Sequence, residues 1–364
     1  MKEKSVFLKD KNQHTDSDRK LHWLNCAKAA AIIAVLVDHS LGILYTDINI
    51  QVASDYDVSL FILSAGITSY ISNSYSKLSW GKAYLKSIKK IFFAYLLCSA
   101  ICLIIKTQGF DVGIFLEQLI HFSATLPLYF VFLYMQLMLV SRLLYRILEK
   151  CPRNKAGYMQ EFILFVIVAC ISAYTSNYTH ILDIYSGGGR VLGGTYLMLF
   201  YFGMIMAKHE WFVKESTLKS VLIWSVSSVA WFFMWRNFGT IRWTIDVKVP
   251  FGEGYDSPSV TLMVFSILTL FAIYGACKIL EKNEITRKIV QIGSWLGEHT
   301  LYIFMYHLTF LYFWFMPYLE IENIWLKRVV YMSLMVIVPL LIEYIVNCFT
   351  IKMKNGIKQI RMKN

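Results

Sequence analysis

Two ionisable residues, Lys28 and His39, lie eleven positions apart within the first apolar stretch of the chain. Eleven helical steps of 100° amount to almost three whole turns, so both side chains project from the same face, roughly 16 Å apart along the axis. Ionisable groups inside a membrane span are costly to bury and are candidate functional residues by default. The spacing therefore predicts a polar stripe with a cation towards one end and a titratable imidazole towards the other.

Other polar residues could act together with this stripe. Lys86 and Lys89 stand at positions i and i+3, side by side on a helix, where they could hold a phosphate. The alternative is that they form the ordinary basic flank of a membrane span. For His39 alone, a hydrogen bond to another helix is the simpler interpretation. Asp38 is rotated by 100° from His39, so a partner must come from another span, and His307 is a candidate for the same polar cavity.

The composition indicates a membrane protein. Hydrophobic residues make up 57% of the chain and charged residues only 16%, too little polar surface for a soluble domain of 364 residues. A spanning helix needs about 20 predominantly apolar residues. Ten apolar runs reach or approach this length, at 22–41, 56–74, 88–106, 126–148, 160–176, 192–207, 218–235, 259–280, 293–316 and 328–351. We therefore predict an all-α integral membrane protein with about ten transmembrane helices.

The distribution of Lys and Arg orients these spans. If the N-terminus is cytoplasmic, every inner segment holds at least as many basic residues as its outer neighbours, and the inner side is much the richer in total, as the positive-inside rule requires. We therefore expect both termini in the cytoplasm, with a polar tail at 1–20, a membrane domain at 21–351 and a basic tail at 352–364. This bias explains the net charge of +12, and we expect membrane lipids rather than nucleic acid as its partner.

The seven cysteines show no metal-ligand spacing and fall within spans or on inner segments. We interpret them as small packing residues, and we expect neither a metal site nor a disulfide framework.

One outer loop, 236–258, mixes aromatic residues with charged ones such as Arg242 and Asp246. Aromatic faces beside hydrogen-bonding groups suit a sugar ring, whose apolar face stacks and whose hydroxyls need partners. Trp and Tyr are equally the ordinary residues of an interfacial belt, so both interpretations stay open.

Four stretches of the sequence are informative because of the order in which they follow one another along the chain. Lys28 precedes His39 by eleven positions, and the segments 60–66 (LFILSAG), 128–131 (LYFV) and 296–307 (LGEHTLYIFMYH) follow. In this order they resemble motifs of the acyltransferase-3 family of membrane acyltransferases, in which an Arg precedes an essential His by the same interval. The resemblance extends over about 21–351. It implies transfer of an acyl group, commonly acetyl, from cytoplasmic acyl-CoA to a carbohydrate or lipid-linked acceptor at the outer face.

The resemblance also implies roles for individual residues. His39 takes the place of the essential histidine, as general base or as acyl-accepting nucleophile. Lysines stand at the family's arginine positions and would bind the acyl donor; lysine keeps the charge but loses the planar fork of arginine. These donor-binding candidates are Lys28, Lys86 and Lys89. The remaining motifs supply candidate cavity or acceptor contacts at Ser64, Tyr129 and His307. Acyl-CoA is expected as a co-substrate, and no tightly bound cofactor is expected.

A second class of function remains open. A transporter or flippase for polysaccharide intermediates, or an export component, would also contain about ten spans with buried charges. No obvious pair of repeated halves with broken helices is visible in the sequence, which favours the enzyme. The Lys- and Ile-rich composition and the lack of a targeting peptide point to a bacterial plasma membrane.

Overall fold

The computed structural model describes residues 21–179, 190–212, 216–246 and 258–363. This part of the chain is helical, and it contains no β-strand beyond one isolated bridge between Leu41 and Tyr45. The predicted tail at 1–20 lies outside the described residues. The helices are α1 His22–Asp38, α2 Ile48–Val52, α3 Asp57–Tyr75, α4 Trp80–Thr107, α5 Val112–His121, α6 Tyr129–Lys150, α7 Lys155–Tyr178, α8 Tyr196–Lys208, α9 Thr217–Arg236, α10 Phe238–Asp246, α11 Val260–Leu280, α12 Glu284–Glu298, α13 Thr300–Phe310 and α14 Ile324–Lys363.

Six of the described helices are long and apolar enough to cross a membrane: α4, α6 with the preceding turn, α7, α9, α11 and α14. The chain is therefore an all-α, multi-pass membrane protein. The other four predicted runs form shorter or less apolar helices. Helix α1 has 17 residues and ends at Asp38 instead of reaching 41, and α8 has 13. Helix α3 has 19 residues but carries five serines, which lower its hydropathy.

Helix α1 lies at the centre of the bundle, in contact with α3, α11, α12 and α13. Its alanines allow this close packing, since Ala27 and Ala31 are completely buried. Small residues on neighbouring helices do the same. A Cβ atom added at Gly297 of α12 would lie 1.9 Å from the backbone oxygen of Asn25, and one at Gly66 of α3 would lie 2.1 Å from that of Phe200 in α8. These backbones can approach so closely only without a side chain.

The predicted run 293–316 is broken in the structure. Helix α12 ends at Glu298, His299 leaves the helical conformation, and α13 begins at Thr300. Nearly every residue of α13 is buried, and a π-helical turn at Leu311–Phe315 follows it. A helix of eleven residues is too short to span a membrane by itself, but α13 does not need to, because other parts of the protein surround it.

A buried ion pair joins the ends of α6, α7 and α8. The Nζ atom of Lys208 donates to the backbone oxygens of Leu148 (2.6 Å) and Cys151 (2.8 Å), and also to the carboxylate of Glu161. The side chains of Lys208 and Glu161 are only 2% and 6% exposed. Lys208 therefore acts as a C-terminal cap for α6 and not as a solvated loop cation.

The basic segment 352–364, interpreted from the sequence as a tail, continues α14 in the structure. The helix extends without interruption from Ile324 to Lys363.

Candidate active site

His39 is the residue that follows the last helical residue of α1, and its backbone still has right-handed helical angles. The eleven-residue interval from Lys28 is therefore helical throughout. The side chain of His39 is partly exposed, and its Nδ1 atom lies 3.9 Å from the Oδ2 atom of Asp38. This distance is too long for a hydrogen bond but short enough for the carboxylate to attract a protonated imidazole.

His307 of α13 faces His39. The two imidazole rings are 5.3 Å apart between centroids and are inclined by 34°. His307 is completely buried, and its Nδ1 atom lies 3.1 Å from the backbone oxygen of Ile303 and 2.7 Å from that of Phe304. Carbonyl oxygens only accept hydrogen bonds, so Nδ1 must carry the proton. The Nε2 atom then has a free lone pair, and it has no hydrogen-bond partner among the described residues.

Lys28, in the first half of α1, lines a cavity of about 490 Å³. The charged residues of its wall are Lys28, Lys90 and Glu298. Asn25 holds the carboxylate in place, because its Nδ2 atom donates to Glu298 over 3.2 Å. Lys90 is likewise positioned, by an ion pair of 3.2 Å with Glu343 of α14. The cavity therefore presents two cations, of which Lys90 is oriented by its ion pair, and an anionic ligand could bind to them.

Three aromatic side chains form the wall of this cavity that lies towards the histidines. Phe304 packs against Phe130 at 4.7 Å and against Phe61 at 5.8 Å between ring centroids. The ring of Phe304 is also 6.1 Å from that of His307. The cavity that contains Lys28 and the pair of histidines are thus separated by a single aromatic residue.

A second cavity of about 520 Å³ extends the first. The two share the lining residues Ser69, Ser72, Ser87 and Met138, and the second adds the cations Lys77, Lys86 and Arg142. Together they form one groove with basic groups along its length.

The donor-binding candidates do not all line this groove. Lys28 and Lys86 do, whereas Lys89 is exposed and lines neither cavity. Its neighbour Lys90 occupies the wall instead. The spacing of Lys86 and Lys90 at i and i+4, which also places two residues on one helical face, is the signal that could have found it.

The remaining two candidates lie next to the site. Ser64 is fully buried in α3, and its hydroxyl has no hydrogen-bond partner in the part of the chain that the structure describes. Tyr129 is the first residue of α6 and directly precedes the cavity residue Phe130. Neither side chain lines the groove.

An acidic cluster surrounds the His39 end of α1, and sequence reasoning missed it. Gln51 of α2 donates from Nε2 to Oδ1 of Asp38 over 3.0 Å. Asp55 lies nearby, between α2 and α3. Its burial, reinforced by the negative charge of Asp38, raises the pKa of Asp55 to about 7, although Arg242 opposes the shift. Acidic residues are closely spaced in the sequence around the start of the second apolar run, and this spacing is the signal that could have revealed the cluster.

The fold and the site together define a multi-pass membrane protein in which a basic groove leads towards a pair of histidines. Comparison with protein families identifies the class more closely: the model of the acyltransferase-3 family, described as an acyltransferase domain, matches residues 21–344. The chain belongs to this family, which confirms the resemblance carried by its motifs. It is accordingly a membrane acyltransferase. No curated protein and no solved structure matches the chain.

Proposed function

We propose that the protein transfers an acyl group, most simply acetyl, from cytoplasmic acyl-CoA to a hydroxyl of a cell-surface or lipid-linked carbohydrate at the outer face of the membrane. The observation that carries this proposal is the groove that begins at Lys86, passes Lys28 and ends at Phe304. The ring of Phe304 is next to that of His307, which in turn faces His39. The groove offers a path from one side of the bundle to the histidines.

The donor would occupy the groove. Acyl-CoA carries phosphates, and the cations Lys86, Lys90 and Lys28 could bind them in turn along the path. The apolar part that Phe304 forms with Phe61 and Phe130 suits the pantetheine arm and its thioester better than a charged group. The acyl carbon would then arrive next to the two imidazoles.

The transfer itself needs a base. The acceptor oxygen attacks the thioester carbonyl, the carbon–sulfur bond breaks, and the hydroxyl proton passes to His39. Asp38 favours the resulting imidazolium through its charge. The proton then moves to the departing thiolate, so that free CoA thiol leaves and the histidine is neutral again. A buried imidazole with a free Nε2 atom, His307, stands beside His39 to hold that proton in passing.

The same proposal assigns the orientation in the membrane. The distribution of Lys and Arg supports ten spans with both termini in the cytoplasm, in which the four other predicted runs would complete the six long helices. In this orientation the Lys86 end of the groove would lie inside and His39 towards the outside. A bacterial plasma membrane is the corresponding location.

The decisive experiment uses the purified full chain in lipid nanodiscs with labelled acetyl-CoA and a polysaccharide acceptor. His39→Ala should abolish transfer of label at an unchanged membrane level, whereas His121→Ala, on the exposed helix α5, should leave it unchanged. Full activity of the His39 variant would overturn the assignment. Label retained on the wild-type protein without acceptor would make His39 a nucleophile rather than a base.

The alternative function, transport of polysaccharide intermediates, makes the opposite prediction. It requires movement of an unmodified glycan across vesicles with no consumption of acetyl-CoA. Family membership favours the enzyme, because an acyltransferase domain covers most of the chain.

A further inference from the structure

A third cavity, of about 360 Å³, lies at the His39 end of the bundle between α2, α9 and α10. None of the steps proposed above uses it. Its wall contains two arginines, Arg236 and Arg242, together with the indole of Trp235 and amide side chains from α2. The combination of cations, an aromatic face and amides is typical of a polar-ligand site and not of a lipid-facing surface.

The charge of this wall is positive. Among the lining residues that the structure describes, one is acidic, Asp55, and two carry guanidinium groups. Arg236, the last residue of α9, forms no ion pair with any residue that the structure describes. Arg242 is held by Asp246, one helical turn away, over 3.8 Å. The Oδ1 atom of Asp246 in turn accepts from Thr261, so this arginine has a defined position.

The aromatic side of the cavity is fixed as well. Trp235 donates from Nε1 to the backbone oxygen of Asn49 over 2.9 Å and stacks on Trp231 at 6.2 Å. The indole therefore cannot rotate freely. The side chains of Asn49 and Gln51 add donors and acceptors to the same wall. A sugar ring needs this pairing of an apolar face with hydrogen-bonding groups.

The cavity is connected to His39 through two side chains. Gln51 lines the cavity and donates to Oδ1 of Asp38 over 3.0 Å, and Oδ2 of Asp38 lies 3.9 Å from Nδ1 of His39. A ligand anchored at the arginines thus lies close to the histidine that would accept a proton from the acceptor hydroxyl.

We propose that this cavity is the acceptor subsite and that it takes an acidic saccharide. The carboxylate or phosphate of the sugar binds at Arg236 and Arg242, its ring packs on Trp235, and a hydroxyl of the same or the adjoining sugar points to His39. The binding step stands on the cavity alone, while the transfer to that hydroxyl rests on the proposed acyltransferase function.

The binding step can be tested without catalysis. The full chain in nanodiscs of phosphatidylcholine is titrated with three labelled tetrasaccharides: glucuronic acid units, glucose units, and glucose units that carry phosphate. An acidic probe should bind at least about tenfold more tightly than the neutral one, and the tighter of the two acidic probes identifies the anion. Arg236→Gln should reduce that affinity about tenfold, as expected for loss of one charge-assisted hydrogen bond.

Matched variants guard against unfolding. Arg236→Lys and Arg242→Lys keep the charge and should retain much of the affinity. Lys327→Gln removes a cation at the same end of the bundle that does not line the cavity, so binding should be unchanged. Equal affinity for acidic and neutral probes, or no effect of Arg236→Gln, would overturn the proposal. So would loss of acidic-probe binding when phosphatidylglycerol is added, since the arginines would then bind lipid phosphate.

The two proposals can fail separately. Acidic-probe binding without release of CoA thiol from acetyl-CoA would leave the subsite standing and remove the proposed enzyme function. His39-dependent release of CoA thiol with no preference for acidic acceptors would do the reverse.

Discussion

The imidazole of His307 lies beside that of His39, with 5.3 Å between ring centroids, and the two backbone oxygens at Nδ1 of His307 leave its Nε2 atom as the free, proton-accepting side. A pair of imidazoles with one tautomer fixed by the backbone can pass a proton without any movement of the main chain. This relationship makes the role of His307 open to direct test.

Replacing His307 by Asn should retain the donor to the backbone oxygens but remove the lone pair at Nε2. If His307 shares the proton in transfer, the turnover of acetyl-CoA should fall by about 10²-fold or more. Thermal unfolding in detergent should change little, because the buried polar group keeps its partners. Wild-type turnover in a well-folded variant would limit His307 to packing.

The cavity distinguishes two neighbouring lysines. Lys90→Gln should raise the KM for acetyl-CoA by about threefold to fivefold, since the side chain is 60% exposed and an exposed charge contributes no more than about 1 kcal/mol. Lys89→Gln is the matched control and should leave the KM unchanged, because Lys89 does not line the groove. Equal effects of both changes would indicate that basic residues attract the donor by their overall charge and that Lys90 makes no specific contact with it.

The buried ion pair of Lys208 and Glu161 should dominate the stability of its part of the bundle. Lys208→Met leaves the Glu161 carboxylate in a buried position without its cation, and we expect a loss of about 3–5 kcal/mol in the free energy of unfolding. The double change Lys208→Met with Glu161→Gln should recover part of that loss. Denaturant titration of both variants measures the difference. A single variant as stable as the wild type would contradict the burial of the pair.

Asp55 should make stability depend on pH. Its folded pKa of about 7 lies above the ordinary value of 3.8, so the folded protein binds more protons than the unfolded chain between these two pH values. Stability should therefore decrease as the pH rises from about 4 to 7. Asp55→Asn should flatten this part of the profile and should be more stable than the wild type at pH 8. Thermal unfolding between pH 5 and 8 measures the slope; the same slope in both proteins would contradict the assignment.

The contact between α3 and α8 gives a steric prediction. Gly66→Ala places a methyl group 2.1 Å from the backbone oxygen of Phe200 and should cost about 1–3 kcal/mol of stability, because one helix must move. Gly81→Ala, at the start of α4, meets no atom within 4 Å and should be neutral or slightly stabilising. A comparison of the two melting temperatures tests the packing, and similar values would contradict it.

The sequence was informative where the signal was local. Helical periodicity placed Lys28 and His39 on one stripe, and apolar runs predicted where the long helices lie, although α4 begins at Trp80 where its run begins at 88 and α14 ends at Lys363 where its run ends at 351. The end of α1 at Asp38 was missed because the residues that follow are apolar enough to continue a span. The break at His299 was missed as well, because the nearby Gly297 lies inside α12 and no Pro follows it before residue 317.

Contacts between distant parts of the chain were beyond sequence reasoning. The need for a partner from another span made His307 a candidate for the same polar cavity as His39, but the tautomer of His307 depends on the geometry of α13. The choice of Lys90 over Lys89 depends on how α4 is rotated against α14. The third cavity combines α2 with α9 and α10, from which α2 is separated by well over a hundred residues, and only the folded bundle brings Gln51 close to Arg242.

Helix α13 carries both Phe304 and His307, which are one turn apart. This short helix is bounded by the break at His299 and by the π-helical turn after Phe310. Any rotation of the helix that lets a thioester pass Phe304 must also displace the imidazole of His307 relative to that of His39. In the proposed reaction, such a rotation would couple the arrival of the donor to the position of the proton acceptor through a single helix.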